Sequence, residues 1–450
     1  MPSQPDTSTV QSLPPNVGPL DGTTPVLPVI IDLAEPLPAL GGDTARHRSA
    51  RCLVVLRGAP LATVDLPIPA GGLRPREVAD ALWDPLRRKI VSELARLRLS
   101  APGSIPVEGF DLGPIEHHRV DPRATVVIAT RERPEQLEQC LRSVLDGVVV
   151  PAHLLVVDNA PVTEATRELV ERLAAEHPSI RYLREDHAGL GRAHNAALPH
   201  LSTELVAFTD DDVLVHHWWL SRIVEAFDAG DDVVCVTGMI APLELETETQ
   251  QIIETHAGFN KGFARRLFDP RSDHSSDALF PFAAGVFGSG ANMAFATEYL
   301  REVGGFDDAL GAGTIALGGD DLAAFYDVMA HGRQLVYEPA AIVAHRHHRE
   351  LAALQRQAYG YGAGLSAHLM RCVLNDPKVV WSMFRGLVPA ARRAVRIAAP
   401  ETSTTVPSPP RSLALHHVRG MASGPLRYLR SRRADRALRR DAPAPVGASA

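Results

Sequence analysis

Short apolar runs alternate with segments of helical periodicity between about residues 120 and 240. Runs such as ATVVIAT (124–130) are short and rich in β-branched residues, which is typical of buried strands. Apolar positions recur every three or four residues between these runs and predict helices, the first beginning at Pro134. The predicted strands are 124–130, 154–158, 180–184, 205–209 and 232–237, and helices are predicted from Pro134 and at 163–175, 189–198 and 219–227. Strands that alternate with helices favour an α/β fold with a doubly wound sheet.

A smaller pattern precedes this unit. Residues 49–68 have the pattern of a hairpin, and helical spacing follows from Arg74, so we interpret this part as a small α+β accessory module. Residues before 45 carry repeated Pro, Gly, Ser and Thr, which predicts a flexible lead. The predicted domains are a flexible lead at 1–44, the accessory module at 45–118, the main α/β domain at 121–375, and a basic helical and disordered tail at 376–450.

Composition excludes several classes of protein. The chain is 45% hydrophobic and 22% charged, which is enough apolar residue to bury a core. Its formal net charge of -7 argues against nucleic-acid binding by the whole chain. No apolar run reaches the roughly 18 residues of a spanning helix, and the first basic residue is Arg46, so neither a membrane span nor a secretory signal is expected. Four widely spaced cysteines fit a reducing cytoplasm.

Known nucleotide and hydrolase motifs are absent from the sequence. It has no GxxxxGK[ST], no complete GxGxxG, no HExxH and no GxSxG. These absences weaken interpretations as a P-loop hydrolase, an NAD enzyme, a zinc protease or an α/β-hydrolase.

Polar side chains follow the predicted strands. The first strand ends at Thr130, the second at Asp158 and Asn159, and the fourth at the triplet Asp210–Asp212. Open parallel sheets bind ligands at the carboxyl ends of their strands, where this topology would bring such residues together. Asp210 and Asp212 could converge on one Mg²⁺ or Mn²⁺ ion, which prefers oxygen ligands and substrate phosphates. A solvated acidic turn is the alternative.

Two further clusters lie downstream. Asp320 and Asp321 precede an apolar helical segment, where one could act as a general base or both could cap the helix. His345 and His347 would share a face of an extended segment, so that one could complete a metal site or contact phosphate. The alternative for the histidines is a basic surface loop.

Four segments together resemble the family-two glycosyltransferases, which have the GT-A fold. ATVVIATRERPEQLEQCLRSVL with LLVVDNAP resembles the opening of these enzymes, and AFTDDDVLVHHWWL resembles their DxD strand and the helix after it. FGSGANMAFATEYLREVGGFDDALGAG is similar to their acceptor-side segment, and GGDDLAAFYDVMAHGRQLVYEPAAIVAHRHH to the region with the ED motif and a distal histidine. The resemblance covers about residues 120–372, with the motifs in the family's order.

The resemblance implies a GT-A type mixed sheet with a Rossmann-like nucleotide-binding half, and transfer of a sugar from a nucleotide-sugar donor to a hydroxyl acceptor. It implies that Asp321, with Asp320 beside it, supplies the catalytic base of an inverting reaction. The implied metal ligands for Mg²⁺ or Mn²⁺ are Asp210, Asp212 and His345, and the implied donor-binding residues are Thr130, Arg131, Asp158, Asn159, Arg192, Asn195, Asp210 and Asp211. His194 replaces an arginine that often stands in this family, and Arg192 is expected to compensate.

The acceptor suggested by this resemblance is a glycan or a lipid-linked saccharide, as in cell-envelope polysaccharide biosynthesis. A nucleotidyltransferase is disfavoured because TRERPEQL lacks a glycine-rich signature. A non-catalytic nucleotide-sugar or carbohydrate-binding module is the alternative function. The Arg-rich segment 411–440 interleaves apolar residues, so we expect a cytoplasmic protein that binds peripherally to the inner face of an anionic membrane, or else a basic tail or a face packed on the main domain.

Overall fold

A computed structural model describes residues 20, 22, 24–41, 46–100, 103–256, 259, 261–272, 280–282, 284–381, 383 and 409–441. The first structured unit holds strands β1 (Val26–Asp32), β2 (Ser49–Leu56) and β3 (Ala59–Pro67), followed by helix α1 (Pro75–Arg96). Strands β2 and β3 pair antiparallel, which confirms the hairpin, and α1 buries the apolar face that its spacing predicts.

Strand β1 corrects the prediction of a flexible lead over residues 1–44. It pairs in parallel with β2 from Val26 to Asp32 and so belongs to the three-stranded sheet. The sequence around it is rich in proline, which hid the strand. A two-stranded hairpin leaves an edge with unpaired backbone groups, and β1 covers that edge. Residues 1–19 lie outside the described residues.

The main domain contains the predicted alternation of strands and helices. Its strands are β4 (Arg119–Thr130), β5 (Val149–Asn159), β6 (Ile180–Glu185), β7 (Leu205–Asp210), β8 (Val213–Val215), β9 (Val233–Pro242), β10 (Arg266–Phe268), β11 (Asn292–Ala296) and β12 (Gln334–His345). Its helices are α2 (Pro134–Leu145), α3 (Ala165–Glu176), α4 (Leu190–Ala197), α5 (Trp219–Phe227), α6 (Glu248–His256), α7 (Thr297–Val303), α8 (Asp320–Ala330) and α9 (Leu351–Asn375). A last helix, α10, spans Arg411–Asp441.

The described strands of this domain form one mixed sheet. Its order is β10-β12-β9-β11-β7-β4-β5-β6, and β8 pairs with β12 outside this path. Strands β4, β5, β6 and β7 run parallel, whereas β11 is antiparallel to both of its neighbours. The chain moves from β4 out to β6 and then returns to the other side of β4 at β7. The carboxyl ends of β4 and β7 therefore flank the switch point at which such sheets bind ligands.

Apolar cores cover both faces of the sheet. Helices α2, α3 and α5 pack on one face through residues such as Leu141, Leu173 and Trp219. Helices α4 and α8 pack on the other face, where Phe208, Phe295 and Phe325 lie in the core. Burial on both faces explains why the parallel strands are continuous apolar runs rather than alternating ones.

The C-terminal segment is helical as predicted, and it takes the alternative in which one face packs on the main domain. Helix α10 lies along α9, and the glycines of both helices bring their backbones close together: a methyl group on Gly362 would overlap the carbonyl of His417, and one on Gly420 would overlap the carbonyl of Tyr359. Tyr428 of α10 is buried and donates a hydrogen bond to Asp307 Oδ2 at 2.8 Å. The predicted disordered end, residues 442–450, lies outside the described residues. No helix in the described part of the chain has the length and apolar character needed to cross a bilayer.

Candidate active site

Three carboxylates follow the apolar strand β7, where the chain turns back into β8. Antiparallel pairing of β8 with β12 places Val213 opposite His345, the last residue of β12. The side chain of His345 thereby approaches the turn, with its Nε2 at 3.4 Å from Asp212 Oδ1. One ligand atom from each of Asp210, Asp212 and His345 lies within 4.8 Å of the others. Sheet pairing thus joins the predicted metal ligands, although more than 130 residues separate them in sequence.

These ligands fit a hard divalent cation. Burial and the charges of Asp212, Asp211, Asp320 and Asp321 raise the pKa of Asp210 well above its ordinary value. Asp212 Oδ1 is buried and has no hydrogen-bond partner among the described residues. Burial is also the main cause that lowers the pKa of His345 to about 4, so its imidazole is neutral at physiological pH and offers a lone pair. Two carboxylates and a neutral imidazole are a donor set that Mg²⁺ or Mn²⁺ accepts, with its remaining positions left for phosphate oxygens.

The middle carboxylate, Asp211, has a different orientation. Its Oδ2 accepts a hydrogen bond from Thr130 Oγ1 at 2.7 Å, and its Oδ1 accepts one from Arg133 at 3.1 Å. Asp211 therefore ties the end of β7 to the end of β4 across the switch point. Arg133 also lies 3.3 Å from Asp212 Oδ2, which places a cation beside the carboxylates. No role was predicted for Arg133, although it closely follows the end of the first predicted strand.

A donor-side cleft of about 350 Å³ opens at this edge of the sheet. Six of the predicted donor or metal residues line it: Thr130, Arg131, Asn159, Asp210, Asp211 and Asp212. Asn159 is fixed by its own hydrogen bonds, since its Nδ2 donates to the His187 carbonyl and its Oδ1 accepts from Gly189 N–H, each at 2.9 Å. Strand β5 therefore positions the turn that leads into α4.

Asp158 lies at the bottom of this edge and is fully buried. Its Oδ2 accepts a hydrogen bond from the Tyr182 hydroxyl at 3.0 Å, whereas its Oδ1 has no partner among the described residues. Burial raises the pKa of Asp158 and outweighs the hydrogen bond, which lowers it. Asp158 does not line the donor-side cleft, so this predicted donor residue lies beneath the surface of the site.

Two predicted donor contacts lie elsewhere. Arg192 NH2 is 2.6 Å from Asp435 Oδ1 of α10, and Asn195 Nδ2 donates to Asp308 at 2.6 Å. Neither side chain lines the donor-side cleft or the larger cavity described below. The two side chains instead join α4 to neighbouring parts of the structure, Arg192 to α10 and Asn195 to the turn that contains Asp308. His194, which was expected to weaken a donor contact, lies in the core 4.7 Å from the ring of Phe208, and burial lowers its pKa to about 3.

The two acidic residues at the start of α8 face a second cavity, of about 630 Å³. Asp321 Oδ2 accepts a hydrogen bond from Gly290 N–H at 3.0 Å, and its Oδ1 accepts one from Leu322 N–H at 2.8 Å. Burial raises the pKa of Asp321, while burial and then the charge of Asp321 raise the pKa of Asp320 to about 7. The structure therefore joins both carboxylates to the site that contains the metal ligands, since Asp210 lines this cavity as well as the donor-side cleft.

The far walls of this cavity are formed by residues that were not predicted to belong to the site. Phe259 and Lys261 follow α6, Tyr361 and Leu365 lie on α9, and His417 lies on α10. Local patterns gave no signal for them, because they meet only when α9 and α10 pack beside α8. The cavity is consequently a joint product of the main domain and the predicted tail.

Part of the chain is similar in sequence to known glycosyltransferases. Residues 125–304 match the model of a family described as Glycosyl transferase family 2. The pre-mycofactocin glycosyltransferase of Mycobacterium tuberculosis is 28% identical over 288 residues, which are 64% of this chain and 54% of that protein. A glucosyl-dolichyl phosphate glucuronosyltransferase of Haloferax volcanii is 23% identical over 204 residues, covering 42% of this chain and 57% of that one. The chain spans about half the length of these curated relatives.

Among solved structures, a mannosyltransferase from Pyrobaculum calidifontis in complex with GDP-Man and Mn²⁺ aligns at a TM-score of 0.40 with 19% identity, over 79% of this chain and 95% of that chain.

Proposed function

We infer that this chain is a member of glycosyl transferase family 2, because residues 125–304 match the model of that family and the mixed sheet agrees with the GT-A type fold that the resemblance implies. From that premise we propose that the protein transfers a sugar from a nucleotide-sugar donor to a hydroxyl group of an acceptor. One observation carries the proposal: the donor-side cleft and the larger cavity meet at Asp210, with a metal-ligand set on one side and Asp321 on the other. Two substrates bound in these spaces would meet at that point.

The donor binds in the cleft at the ends of β4, β5 and β7. Arg131 and Asn159 line the part of the cleft that would take the nucleoside, and Asp158 is buried beneath them. Asp210, Asp212 and His345 hold the divalent cation, which when bound stabilises the negative charge of the departing diphosphate as a Lewis acid. Arg133 adds positive charge at the same edge.

The acceptor binds in the larger cavity. Its hydroxyl proton passes to Asp321, its oxygen forms a bond to the anomeric carbon, and the bond from that carbon to the diphosphate breaks. This single displacement inverts the configuration and releases a nucleoside diphosphate. The hydrogen bonds from Gly290 and Leu322 hold the carboxylate in place, and its raised pKa makes it a better base than an exposed aspartate. A cavity volume of about 630 Å³ lies within the range of small-molecule sites, so the acceptor portion it takes is one or two sugar rings or a group of similar size.

The test is a panel of UDP-, GDP- and dTDP-sugars, scored by Mn²⁺-dependent thermal stabilisation and by release of nucleoside diphosphate. We expect one base to stabilise the protein, and only when Mn²⁺ is present. Asp212→Asn should lose this stabilisation, whereas Asp231→Asn, at an exposed position, should keep it. Full activity in excess EDTA would contradict metal dependence, and donor binding without turnover on any acceptor would favour a non-catalytic binding module.

We further propose that α10 binds an anionic membrane surface peripherally. Its face away from α9 exposes Leu415, Val418 and Leu426, and arginines such as Arg419 and Arg433 lie on the same side. An exposed apolar row flanked by arginines is the pattern of a helix that lies on a membrane surface. This location would bring the cavity close to a lipid-linked acceptor.

Co-sedimentation with phosphatidylglycerol vesicles and with phosphatidylcholine vesicles tests this location. The full chain should sediment with the anionic vesicles, and the double variant Val418→Ser, Leu426→Ser should remain largely in the supernatant. Val120→Ser with Val162→Ser is the matched control, since these valines are equally exposed far from α10 in sequence. If wild type stays in the supernatant at low salt, the membrane proposal is wrong, while the proposed sugar transfer is unaffected.

A further inference from the structure

A second histidine lies directly behind the metal-ligand histidine. His345 Nδ1 and His347 Nδ1 are 3.2 Å apart, which is within hydrogen-bond distance. His347 is almost fully buried, with 1% of its side chain exposed, whereas His345 is open toward the carboxylate turn. His347 therefore contacts the site through another residue and does not reach the cleft itself.

Helix α6 and the turn after it hold His347 in place. Gln250 Nε2 donates a hydrogen bond to the His347 carbonyl at 3.2 Å, and the ring of Phe259 stacks on the imidazole at a centroid distance of 5.5 Å. The remaining ring nitrogen, Nε2, points toward Glu254 Oε2 at 3.7 Å. This Nε2 atom is buried and has no hydrogen-bond partner within the described part of the chain. Its neighbours fix the ring plane, so the imidazole cannot turn away from His345.

The proton positions follow from these contacts. Two nitrogens that face each other at 3.2 Å share a hydrogen bond only if one of them carries the proton. His345 can offer its Nε2 lone pair to a cation only when its proton is on Nδ1, from which it is donated to His347 Nδ1. His347 then carries its own proton on Nε2, which faces the carboxylate of Glu254. The opposite arrangement would put a proton on His345 Nε2 and block its use as a ligand.

The N-terminal module contributes an arginine that lies beside Glu254. Arg51 of β2 lies 3.9 Å from Glu254 Oε1. Arg51 is itself fixed by a bidentate pair with Asp65 of β3, at 3.0 Å from Nε and 2.9 Å from NH2. Glu254 thus lies between the guanidinium of Arg51 and His347 Nε2, and its carboxylate attracts a proton on Nε2 across the distance of 3.7 Å.

We propose that His347 and Glu254 are positioning residues that fix the orientation and the tautomer of the metal-ligand His345, with Arg51 supplying the contribution of the N-terminal module. This inference rests on the proposed metal centre. The inference assigns a function to the N-terminal module, which has no catalytic motif. Through the contact of Arg51 with Glu254, the module helps to fix the orientation of the metal-ligand His345. Partners of this kind typically change metal affinity by about 10–100-fold when they are removed.

The test compares His347→Leu with His347→Asn in the full chain. Leucine removes the acceptor for the His345 Nδ1 proton, whereas the asparagine side-chain oxygen takes the place of Nδ1 and retains an acceptor. Mn²⁺ binding is measured by electron paramagnetic resonance of free Mn²⁺ in the presence of UDP or GDP. We expect about 10–100-fold weaker binding for His347→Leu and near wild-type binding for His347→Asn. The melting temperature of the metal-free protein reports whether each variant folds.

A second pair of variants keeps the inference testable if His347→Leu does not fold. Glu254→Ala and Glu248→Ala remove a carboxylate from the same helix, but Glu248 is exposed and only Glu254 faces His347. Glu254→Ala should weaken Mn²⁺ binding, and Glu248→Ala should not. Equal binding by folded wild type, His347→Leu and Glu254→Ala would overturn the positioning role alone. Absence of Mn²⁺ binding by the wild type with either nucleotide would overturn the metal centre and the positioning role that rests on it, whereas sugar transfer itself is tested separately by release of nucleoside diphosphate.

Discussion

Two adjacent carboxylates begin α8, and their surroundings give them different properties. Asp321 is half-buried, lines the larger cavity and accepts hydrogen bonds from Gly290 and Leu322. Asp320 is 5% exposed and packs closely against Gly311. A methyl group added to Gly311 would lie 3.1 Å from the carboxyl carbon of Asp320. The hydrogen bonds orient Asp321 and oppose the effect of burial on its pKa. Burial and the charge of Asp321 raise the pKa of Asp320 to about 7, although backbone N–H groups at the start of α8 lower it.

Asp321→Asn should therefore lower kcat by about 10²–10⁴-fold, the usual contribution of a general base. Donor binding should change little, because Asp321 is not among the residues that line the donor-side cleft. Steady-state kinetics with the active donor, together with nucleotide titration, measure both quantities. In the wild type, activity should fall with decreasing pH as Asp321 becomes protonated, starting above the ordinary range of an aspartate because its pKa is raised. Loss of catalysis in Asp320→Asn with full activity in Asp321→Asn would show that the base is the other carboxylate.

Asp320 should also make stability depend on pH. Its pKa in the folded protein is about 7, against an ordinary value of about 3.9 in an unfolded chain. The folded state thus holds the proton more tightly, so stability falls as pH rises from about 4 to about 7 and stays lower above that. Asp320→Asn removes this loss. The melting temperature of Asp320→Asn minus that of wild type should increase from about pH 4 to about pH 7 and then stay constant. For Asp231→Asn, the same difference should not change with pH. A flat difference for Asp320→Asn would contradict the raised pKa.

The site residues at strand ends could be predicted from the sequence, whereas the partners of residues far apart in the chain could not. The sequence predicted that Asp210, Asp212 and His345 would meet, because each follows an apolar strand and the resemblance ordered them. It did not predict that Arg192 would pair with Asp435, 243 positions later in the chain. Nothing in the local sequence indicates such a partner, since the pair forms only through the packing of α10.

The contact between α9 and α10 depends on small residues. A methyl group at Gly424 would overlap Ser366 Oγ and the carbonyl of Ala363 on α9. Gly424 lies on the buried side of α10, and Ala422 lies on the exposed side two residues away. The close approach of the two helices is therefore possible only with glycine at this position.

Gly424→Val should destabilise the protein by about 1–3 kcal/mol, the usual range for an overpacked contact. Ala422→Val introduces the same side chain into the same helix at an exposed position, so its effect should be much smaller. Denaturant unfolding of both variants measures the difference. Because His417 lies on α10 and lines the larger cavity, Gly424→Val should also raise the acceptor KM. Equal free energies of unfolding for the two variants would mean that α10 does not pack on α9 in solution.

Helices and strands were predicted well where the pattern of apolar residues extends over many positions, and poorly where that pattern is short or interrupted. Helix α2 begins at Pro134 as predicted, because proline favours the first helical position. Glu338 and Pro339 interrupt the apolar run of strand β12, and the structure accommodates them at a register shift against β9. The short strands β8 and β10 have three residues each, too few to show a period. Pairing with β12 defines them, and that pairing is a tertiary property.

The N-terminal module and the main domain share an apolar contact. Leu53 and Val55 project from β2 and are buried with Met239 and Ala241 of β9 and Ile342 of β12. The opposite face of β2 supplies residues such as Val54 to the module's own core, which also contains Leu82. An accessory domain on a flexible linker would leave one of these two faces exposed. The predicted boundary near residue 118 remains a proposal about folding units, and this contact indicates that the two units are stabilised together.

We therefore expect the protein to unfold in one cooperative transition that includes both the N-terminal module and the main domain. Leu53→Ala removes side-chain volume from the shared contact, and Leu82→Ala removes the same volume from the module's own core. Buried Leu→Ala substitutions usually cost about 2–5 kcal/mol, so both variants should lower the temperature of that single transition. Differential scanning calorimetry measures it, and Mn²⁺ with the active nucleotide should raise it in all three proteins, because a ligand that binds only the folded state stabilises everything that unfolds with its site. Two separate transitions, with only one of them shifted by nucleotide, would instead show that the module folds by itself and that Arg51 lies beside Glu254 without any energetic coupling to the site.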